Sequence, residues 1–543
     1  MNRTENALRL LSDYLRQSAR NYPDKTAFVY NDQRISYREF NEKVTILARY
    51  LLNIGVKRHD RLAYVLETQP EFFYLCMAAA RIGAIVVGMG IKLMPRELQY
   101  IIENSESDYV FVAGGDKPYL NRLSKIINNC NGIKQVFVIG DNGTDLDLTS
   151  FEDIFKQDYV EFDSALAERE AQVDTDDGLV MVYTSGTTGN PKGALLTHRN
   201  IIHSSLIEDD EFKSTPEDVW LDNMPINHVG GIIVAGTAPL ITSSTVVLQG
   251  IFSPKGALEL IQNEKVNVWG LVPTMFTMML NVPDYDAYDK SSIRSVHFGA
   301  AMAPKNTLEK MYATMTTNVY NCLGMTEAAG IVTLTPKGLD VDMMSKSLGK
   351  AIPEAEWKLV DKDRKVVKCG EVGEIAFRGS TIIKEYYKCP RATDESFDKD
   401  GWFYTGDLFY EDEKGLLILM GRKKEMFITG GENVYTVEVE EVISAYDKVE
   451  NVAVVPVPDP VYGEIGYAFI VPKSDCQIDE ADLRAYLKKK LAKYKIPSKI
   501  IFRNILPLNP TGKIAKKVLI QEIAEVLEKS TNGSAVESQS LGA

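Results

Sequence analysis

Between residues 36 and 55 apolar side chains return every three or four positions, so that Phe40, Val44, Leu47, Ala48 and Leu51 share one face of a predicted helix. Ser36 with Glu39 reads as a capping box that starts this helix, and Gly55 as the residue that stops it. The pattern is that of an amphipathic helix packed on a sheet. Through the first half of the chain such stretches alternate with short apolar runs, as in an α/β domain. From about residue 345 the texture changes to β-prone runs broken by turns (GEIAFRG, GWFYTGDL and KGLLILMGR), which predicts a small, largely antiparallel β subdomain. After Gly421-Arg422-Lys423-Lys424 a mixed pattern resumes, with a helix over about 436–446 ahead of the strand VAVVPV. Asp479 is placed to cap a further helix with Leu483, Tyr486, Leu487 and Leu491 on one face. The closing residues, STNGSAVESQSLGA, carry almost no apolar content, and disorder is expected there.

Two apolar stretches raise the question of a membrane. Val229 to Ser253 is uncharged, but it contains Gly230, Gly231, Gly236, Pro239 and a Thr/Ser cluster at 242–245, which fits a buried segment with turns rather than a lipid-facing helix. Residues 72–91 include Arg81 and read as a core helix followed by a strand. No transmembrane segment is expected. At 543 residues the chain needs at least two domains, one of them large. Its 61 Lys+Arg against 75 Asp+Glu give a net charge of -14, which disfavours nucleic acid as a partner. The lysines at 488–490, 493 and 495 read as a solvated face near a helix C-terminus. Six cysteines are scattered without a CxxC pair or a grouping with the five histidines, as in reduced, cytoplasmic thiols. The charged N-terminus has no apolar signal core.

The segment carrying most chemistry is YTSGTTGNPKGA, residues 183–194, after the apolar run GLVMVYT. Thr184, Ser185, Gly186, Thr187, Thr188 and Gly189 are all hydroxyl-bearing or glycine, so backbone N–H groups and hydroxyls can approach a polyphosphate unobstructed. Lys192 adds positive charge. The Walker pattern does not fit, because Pro191 precedes this lysine and Gly193 follows it. Taken alone, the loop is also compatible with an ordinary flexible connection.

Four further motifs follow in order: NCLGMTE at 321–327, GWFYTGDL at 401–408, GRKKEMFITGGENVYTVEVE at 421–440 and PLNPTGKI at 507–514. Together with the loop they resemble the adenylate-forming superfamily of acyl-CoA synthetases, luciferases and peptide-synthetase adenylation domains, and most closely its AMP-forming acyl-CoA synthetases. The resemblance implies an α/β fold: a large N-terminal domain of stacked α/β subdomains over 1–424, with the β-rich subdomain at about 345–424. A small mobile α+β C-terminal domain over 425–529 and a disordered tail over 530–543 complete it. It implies ATP and coenzyme A as co-substrates and Mg²⁺ as metal.

Residue by residue, Lys513 resembles the family's catalytic lysine that bridges carboxylate and α-phosphate, Thr184 belongs to the catalytic loop, and Glu327 resembles the carboxylate that holds Mg²⁺. Asp407 resembles the acceptor of the ribose hydroxyls and Arg422 the donor beside it. Asn321 matches the residue whose amide reads the adenine amino group. Cys322, Leu323, Gly324, Met325 and Thr326 continue that nucleotide-binding segment, with Leu323 where most relatives stack a tyrosine on the base. Gly299, Ala300 and Ala301 in FGAAMAP line the adenine side, and His228, Gly299, Gly324 and Met302 the acyl side. Lys424 matches the hinge, and Gly430, Gly431 and Glu432 the route for CoA. Thr436 stands where many relatives have proline, and the resemblance attaches no role to it.

The acid is expected to exceed acetate in size, because acetate-specific relatives close the pocket with tryptophan where this chain has Gly324. It could be a medium or long aliphatic, alicyclic or aryl carboxylate. Amino acids are disfavoured, since Ile226 to Gly230 offers no carboxylate for an ammonium group. Val229, Ile232, Ile233, Trp269, Leu271 and Met302 could line an acyl tunnel or serve the core. Two alternatives stand beside coenzyme A ligation: an adenylating enzyme serving a separate carrier protein, or a non-catalytic nucleotide sensor. The expected partners are small molecules, and a homodimer is compatible with the chain.

Overall fold

The periodic stretch after Ser36 folds as the helix Tyr37–Asn53. Ser36 Oγ accepts from the Glu39 amide and the Glu39 carboxylate accepts from the Ser36 amide, so two of the unpaired N–H groups at the helix start are satisfied. Phe40, Val44, Leu47, Ala48 and Leu51 are fully buried, and Gly55 takes a left-handed φ of 84° just past the helix end. The computed structural model describes residues 4, 8–115, 123, 126, 129, 130, 132–141, 148–184, 191–474, 476–508 and 514–537. These divide into two units, Met1–Trp357 with Phe377–Phe403, and Lys358–Ala376 with Tyr404–Ala543.

The first unit holds two large sheets. In the seven-stranded one, Thr149–Ser150, Gln135–Ile139, Tyr109–Ala113, Arg61–Val65, Ile85–Gly88 and Gly178–Thr184 lie side by side and parallel, and Lys192–Thr197 closes the edge antiparallel. The apolar stretch from residue 72 is the buried helix Pro70–Ile82 followed by the strand Ile85–Gly88. In the nine-stranded sheet, Val319–Met325, Ser295–Gly299, Val268–Leu271, Val219–Asp222, Thr245–Leu248 and Thr26–Tyr30 run parallel in that order, and antiparallel strands flank them. Most of these strands are buried along their length, as expected of a parallel sheet covered on both faces.

The uncharged run after Val229 is a π-helical stretch, Gly230–Thr237, continued by the short helix Ala238–Ile241. Gly231 is required there, since a Cβ would come 2.6 Å from the Met224 carbonyl oxygen. Among the described residues no helix is long and apolar enough to cross a membrane.

In the second unit the strand Phe403–Glu411 pairs antiparallel with Leu417–Arg422, as the β-prone runs predict. A five-stranded sheet follows, dominated by the antiparallel pair Val449–Asp459 and Gly463–Pro472. Helix Thr436–Ser444 packs on it through Val439 and Ile443, helix Glu480–Lys490 through Leu483 and Leu487 with Asp479 as its cap, and helix Lys516–Glu537 through Leu519 and Ile523. That last helix continues past residue 530, where composition predicts loss of order, because an established helix gains one hydrogen bond for each residue it fixes. Residues 538–543 lie outside those described.

One pairing in the nine-stranded sheet sets a tight steric condition. Gly270 lies opposite His297 on neighbouring parallel strands, and a Cβ at Gly270 would overlap the imidazole. The ring cannot swing away, because it stacks on Phe212 at 4.6 Å between centroids and is 4% exposed. Gly270→Ala should therefore lower stability by about 1–3 kcal/mol. Truncation of the ring in Gly270→Ala/His297→Ala should relieve the clash, giving a coupling of about 1 kcal/mol or more in a thermal-melt double-mutant cycle. Strictly additive losses would contradict the clash.

Candidate active site

Thr184 and Lys192 face each other across an antiparallel hairpin, so the hydroxyl- and glycine-rich segment is the connection between two paired strands. Ser185, Gly186, Thr187, Thr188 and Gly189 lie outside the described residues. The root of the connection is well fixed. The Tyr183 hydroxyl donates to Asn104 Oδ1 at 2.7 Å, and the Gly193 carbonyl accepts from the Tyr387 amide at 2.8 Å. Ala194 pairs with Tyr386 in an isolated bridge, which brings that tyrosine to the hairpin.

Tyr386 connects two of the residues expected at a phosphate site. The Lys192 ammonium lies 5.2 Å from the centre of its ring, a cation–π distance, and its hydroxyl donates to Glu327 Oε1 at 2.7 Å. Burial and the Glu327 charge push the phenol pKa up, so Tyr386 stays a neutral donor. The Glu327 carbonyl also accepts from the Ile383 amide at 2.9 Å. Sequence reasoning missed Tyr386. The tandem Tyr386-Tyr387 was its only mark, and nothing in that segment points to residue 327.

Glu327 occupies the single turn Thr326–Ala328 at the end of strand Val319–Met325. Neighbouring this strand is Ser295–Gly299, with Asn321 opposite Phe298 and Cys322 opposite Gly299. A Cβ at Gly299 would lie 2.8 Å from the Cys322 carbonyl oxygen, so glycine alone permits this spacing. Ala300 follows in a left-handed conformation at φ 68° and is exposed, as is Ala301, whereas Met302 is half-buried. The two predicted segments, 299–302 and 321–327, thus emerge from adjacent strand ends.

Asn321 is fully buried. Its Nδ2 donates to the Ser347 carbonyl at 3.0 Å and to that of Met344 at 3.4 Å, and its Oδ1 has no partner among the described residues. The Cys322 thiol donates to the Phe298 carbonyl, and burial pushes its pKa up to about 12, so it is a packing group and not a nucleophile. Leu323 is half-buried at a β-bulge, Gly324 is exposed with Gly330 O 3.1 Å from where a Cβ would stand, Met325 is half-buried and Thr326 buried. His228 is half-buried just ahead of the π-helical stretch, and its carbonyl accepts from the Ile232 amide. Val229, Ile232 and Ile233 belong to one core cluster and Trp269 and Leu271 to another.

In the second unit Asp407 lies opposite Arg422 and accepts from its Nε at 2.9 Å. Asp407 is buried and Arg422 largely exposed, so the pair presents a fixed carboxylate beside an adjustable donor. Lys424 is exposed. Gly430 and Gly431 form the two-residue turn of the hairpin Phe427–Thr429/Glu432–Val434, with φ of 59° and 91°, the two left-handed positions such a turn demands. Glu432 is exposed. Lys513 lies outside the described residues; Leu508 and Ile514, on either side, pair in an antiparallel bridge.

A model of the family described as AMP-binding enzyme matches residues 15–387, and one described as AMP-binding enzyme C-terminal domain matches residues 438–513. A long-chain-fatty-acid–CoA ligase of Mycobacterium tuberculosis is 31% identical over 520 residues, covering 95% of this chain and 99% of its own. The indoleacetate–CoA ligase of Aromatoleum aromaticum is 30% identical over 520 residues, covering 95% and 98%. ATP-bound MatB from Rhodopseudomonas palustris is similar in structure, with a TM-score of 0.81 at 28% identity over 95% of this chain and 99% of that one.

A buried carboxyl unremarked in the sequence supports the Glu327 segment. Glu208 Oε1 accepts from the Ile331 amide and from Ser204 Oγ, each at 3.2 Å, and Oε2 is buried without a partner among the described residues. Burial pushes its pKa up to about 8, so the group is largely neutral at pH 7. The folded-state value exceeds the unfolded one of 4.5, so its contribution to stability is complete below pH 4.5 and disappears as pH rises through 8. Glu208→Gln keeps the acceptor and the shape. It should flatten the loss of Tm between about pH 5 and about pH 9 in thermal melts; an unaltered slope would count against a neutral Glu208.

Proposed function

The chain belongs to the AMP-binding enzyme family and is an adenylate-forming acid–CoA ligase, and on that premise we propose that it activates a carboxylic acid larger than acetate. In the first step an acid oxygen attacks the α-phosphorus of ATP and the bond to pyrophosphate breaks. In the second the CoA sulfur attacks the acyl carbon and AMP leaves. Both partners of the first step are anions, so positive charge and N–H donors are required. The observation that carries this reading is Tyr386, which fixes Glu327 by a 2.7 Å hydrogen bond while lying under Lys192 at the root of the phosphate loop.

The residues take the following parts. The loop from Thr184 to Gly189 with Lys192 grips the departing pyrophosphate. Asn321 Oδ1 accepts from the adenine amino group, with Leu323 and the Gly299–Ala301 backbone as aliphatic walls. Asp407 accepts from the ribose hydroxyls and Arg422 donates beside it. Lys513 bridges carboxylate and α-phosphate. The donor set suits Mg²⁺, since a hard cation needs oxygen ligands and few protein groups: Glu327 offers a carboxylate that is half-exposed and held at one oxygen by a neutral phenol. When bound, the metal neutralises phosphate charge. His228 and Met302 line the acyl side, and Gly324, which is exposed and carries no side chain, leaves it open. Gly430, Gly431 and Glu432 serve the CoA route after rotation at Lys424.

Three measurements test this reading. Ligation with free CoA over aliphatic, alicyclic and aryl acids of graded size should give an acyl-CoA with acids beyond acetate; adenylate without thioester would favour a carrier protein as acceptor. Lys513→Ala should slow adenylate formation by about 10²-fold or more yet spare thioester formation from preformed acyl-adenylate. Equal losses would refute the division. Tyr386→Phe keeps the ring under Lys192 and removes the hydrogen bond to Glu327, so pyrophosphate release should fall about tenfold with a higher Mg²⁺ requirement. An unchanged Mg²⁺ dependence would separate Tyr386 from the metal.

A further inference from the structure

Lys516, the first residue of the helix Lys516–Glu537, is largely buried and fully engaged. Its ammonium lies 2.9 Å from Glu425 Oε2, 2.9 Å from Glu440 Oε1 and 3.1 Å from Thr436 Oγ1. Three donors meet three acceptors, which satisfies the group completely. Side-chain exposures of 17% for Lys516 and 18% for Glu440 set this apart from a surface pair, which would be worth little. The two carboxylates hold the ammonium protonated against its burial, and Glu440 Oε1 is further anchored by the Val454 amide at 2.6 Å. Thr436, 1% exposed, opens the helix Thr436–Ser444. A proline would suit that helix position equally well but has no side-chain acceptor. The threonine supplies the third.

The three acceptors come from the segments that carry the second unit's chemistry. Glu425 follows Arg422 and Lys424 directly, Thr436 and Glu440 follow the Gly430–Gly431 hairpin, and Lys516 begins its helix three residues after Lys513. We propose that Lys516 is a positioning residue, which ties these segments into one knot and so fixes the register between the start of its helix and the 422–432 region. The inference rests on the ligase reading for what that register serves. A displacement of about an ångström at a reacting group can lower a rate by about 10²-fold, so a small loosening would be visible in turnover.

The test separates position from stability. Lys516→Met leaves Glu440 buried and unpaired, and it should lower Tm and turnover together. In Lys516→Met/Glu440→Gln the stranded charge is gone and the glutamine oxygen can still accept from Val454, so Tm should return to within a few degrees of the parent. Turnover in pyrophosphate release should nevertheless stay at least about tenfold down at unchanged KM for ATP, and Lys516→Arg should regain most of it. Amides over 425–436 should exchange at least about tenfold faster in the double variant, while the Val449–Asp459/Gly463–Pro472 ladder keeps its protection. Turnover that recovers with Tm, or unchanged exchange over 425–436, would overturn the proposal. A parent that releases no pyrophosphate with any acid refutes the ligase reading instead, and the exchange measurement then decides the knot alone.

Discussion

A carboxylate and a polyphosphate approach one another only where the protein holds its own negative charge in check. In a chain of net charge -14 this is a severe condition, and three acidic groups, two in the first unit and one in the second, meet it differently. Glu327 accepts from the neutral Tyr386, Asp407 is paired with Arg422, and Glu208 is kept largely protonated by burial. Pairing offsets the charge of Asp407 and protonation removes that of Glu208, whereas Glu327 is oriented by the phenol and keeps its charge for a cation to meet. The position of Lys192 over the Tyr386 ring follows the same logic, since a cation against an aromatic face is steadied without being neutralised.

Close backbone approach is the second condition that shapes the site. Gly299 lets its strand run against the Cys322 carbonyl, which places 299–302 beside 321–327. Gly231 does the same for the π-helical stretch behind His228. The parallel sheet orders the strand ends, and glycines set how tightly the loops leaving them can converge.

What the sequence made legible was local. The capping box at Ser36, the helix cap at Asp479 and the antiparallel β region are each written in a few contiguous residues whose backbone demands are specific. Tyr386, Glu208 and Lys516 were not legible, because what each does depends on a partner at least 59 residues away in the chain. An isolated tyrosine, glutamate or lysine carries no trace of such a partner. Thr436 lies between the two cases: its departure from the usual proline is visible in the sequence, but its meaning needs the ammonium of Lys516. The last helix runs to Glu537 through residues whose composition alone predicts disorder, because composition reports whether a segment can hold a core and not whether a helix already begun will continue.

The anchored amide of Asn321 has a consequence for the choice of nucleotide. With Nδ2 committed to two backbone carbonyls, the side chain cannot turn over, and only its oxygen is left to face a base. On the proposed placement a purine with an amino group at that edge finds an acceptor, whereas one with an oxo group brings lone pairs against lone pairs in a buried setting. Discrimination between ATP and GTP then comes less from the bond gained with the right base than from the repulsion and lost hydration imposed on the wrong one.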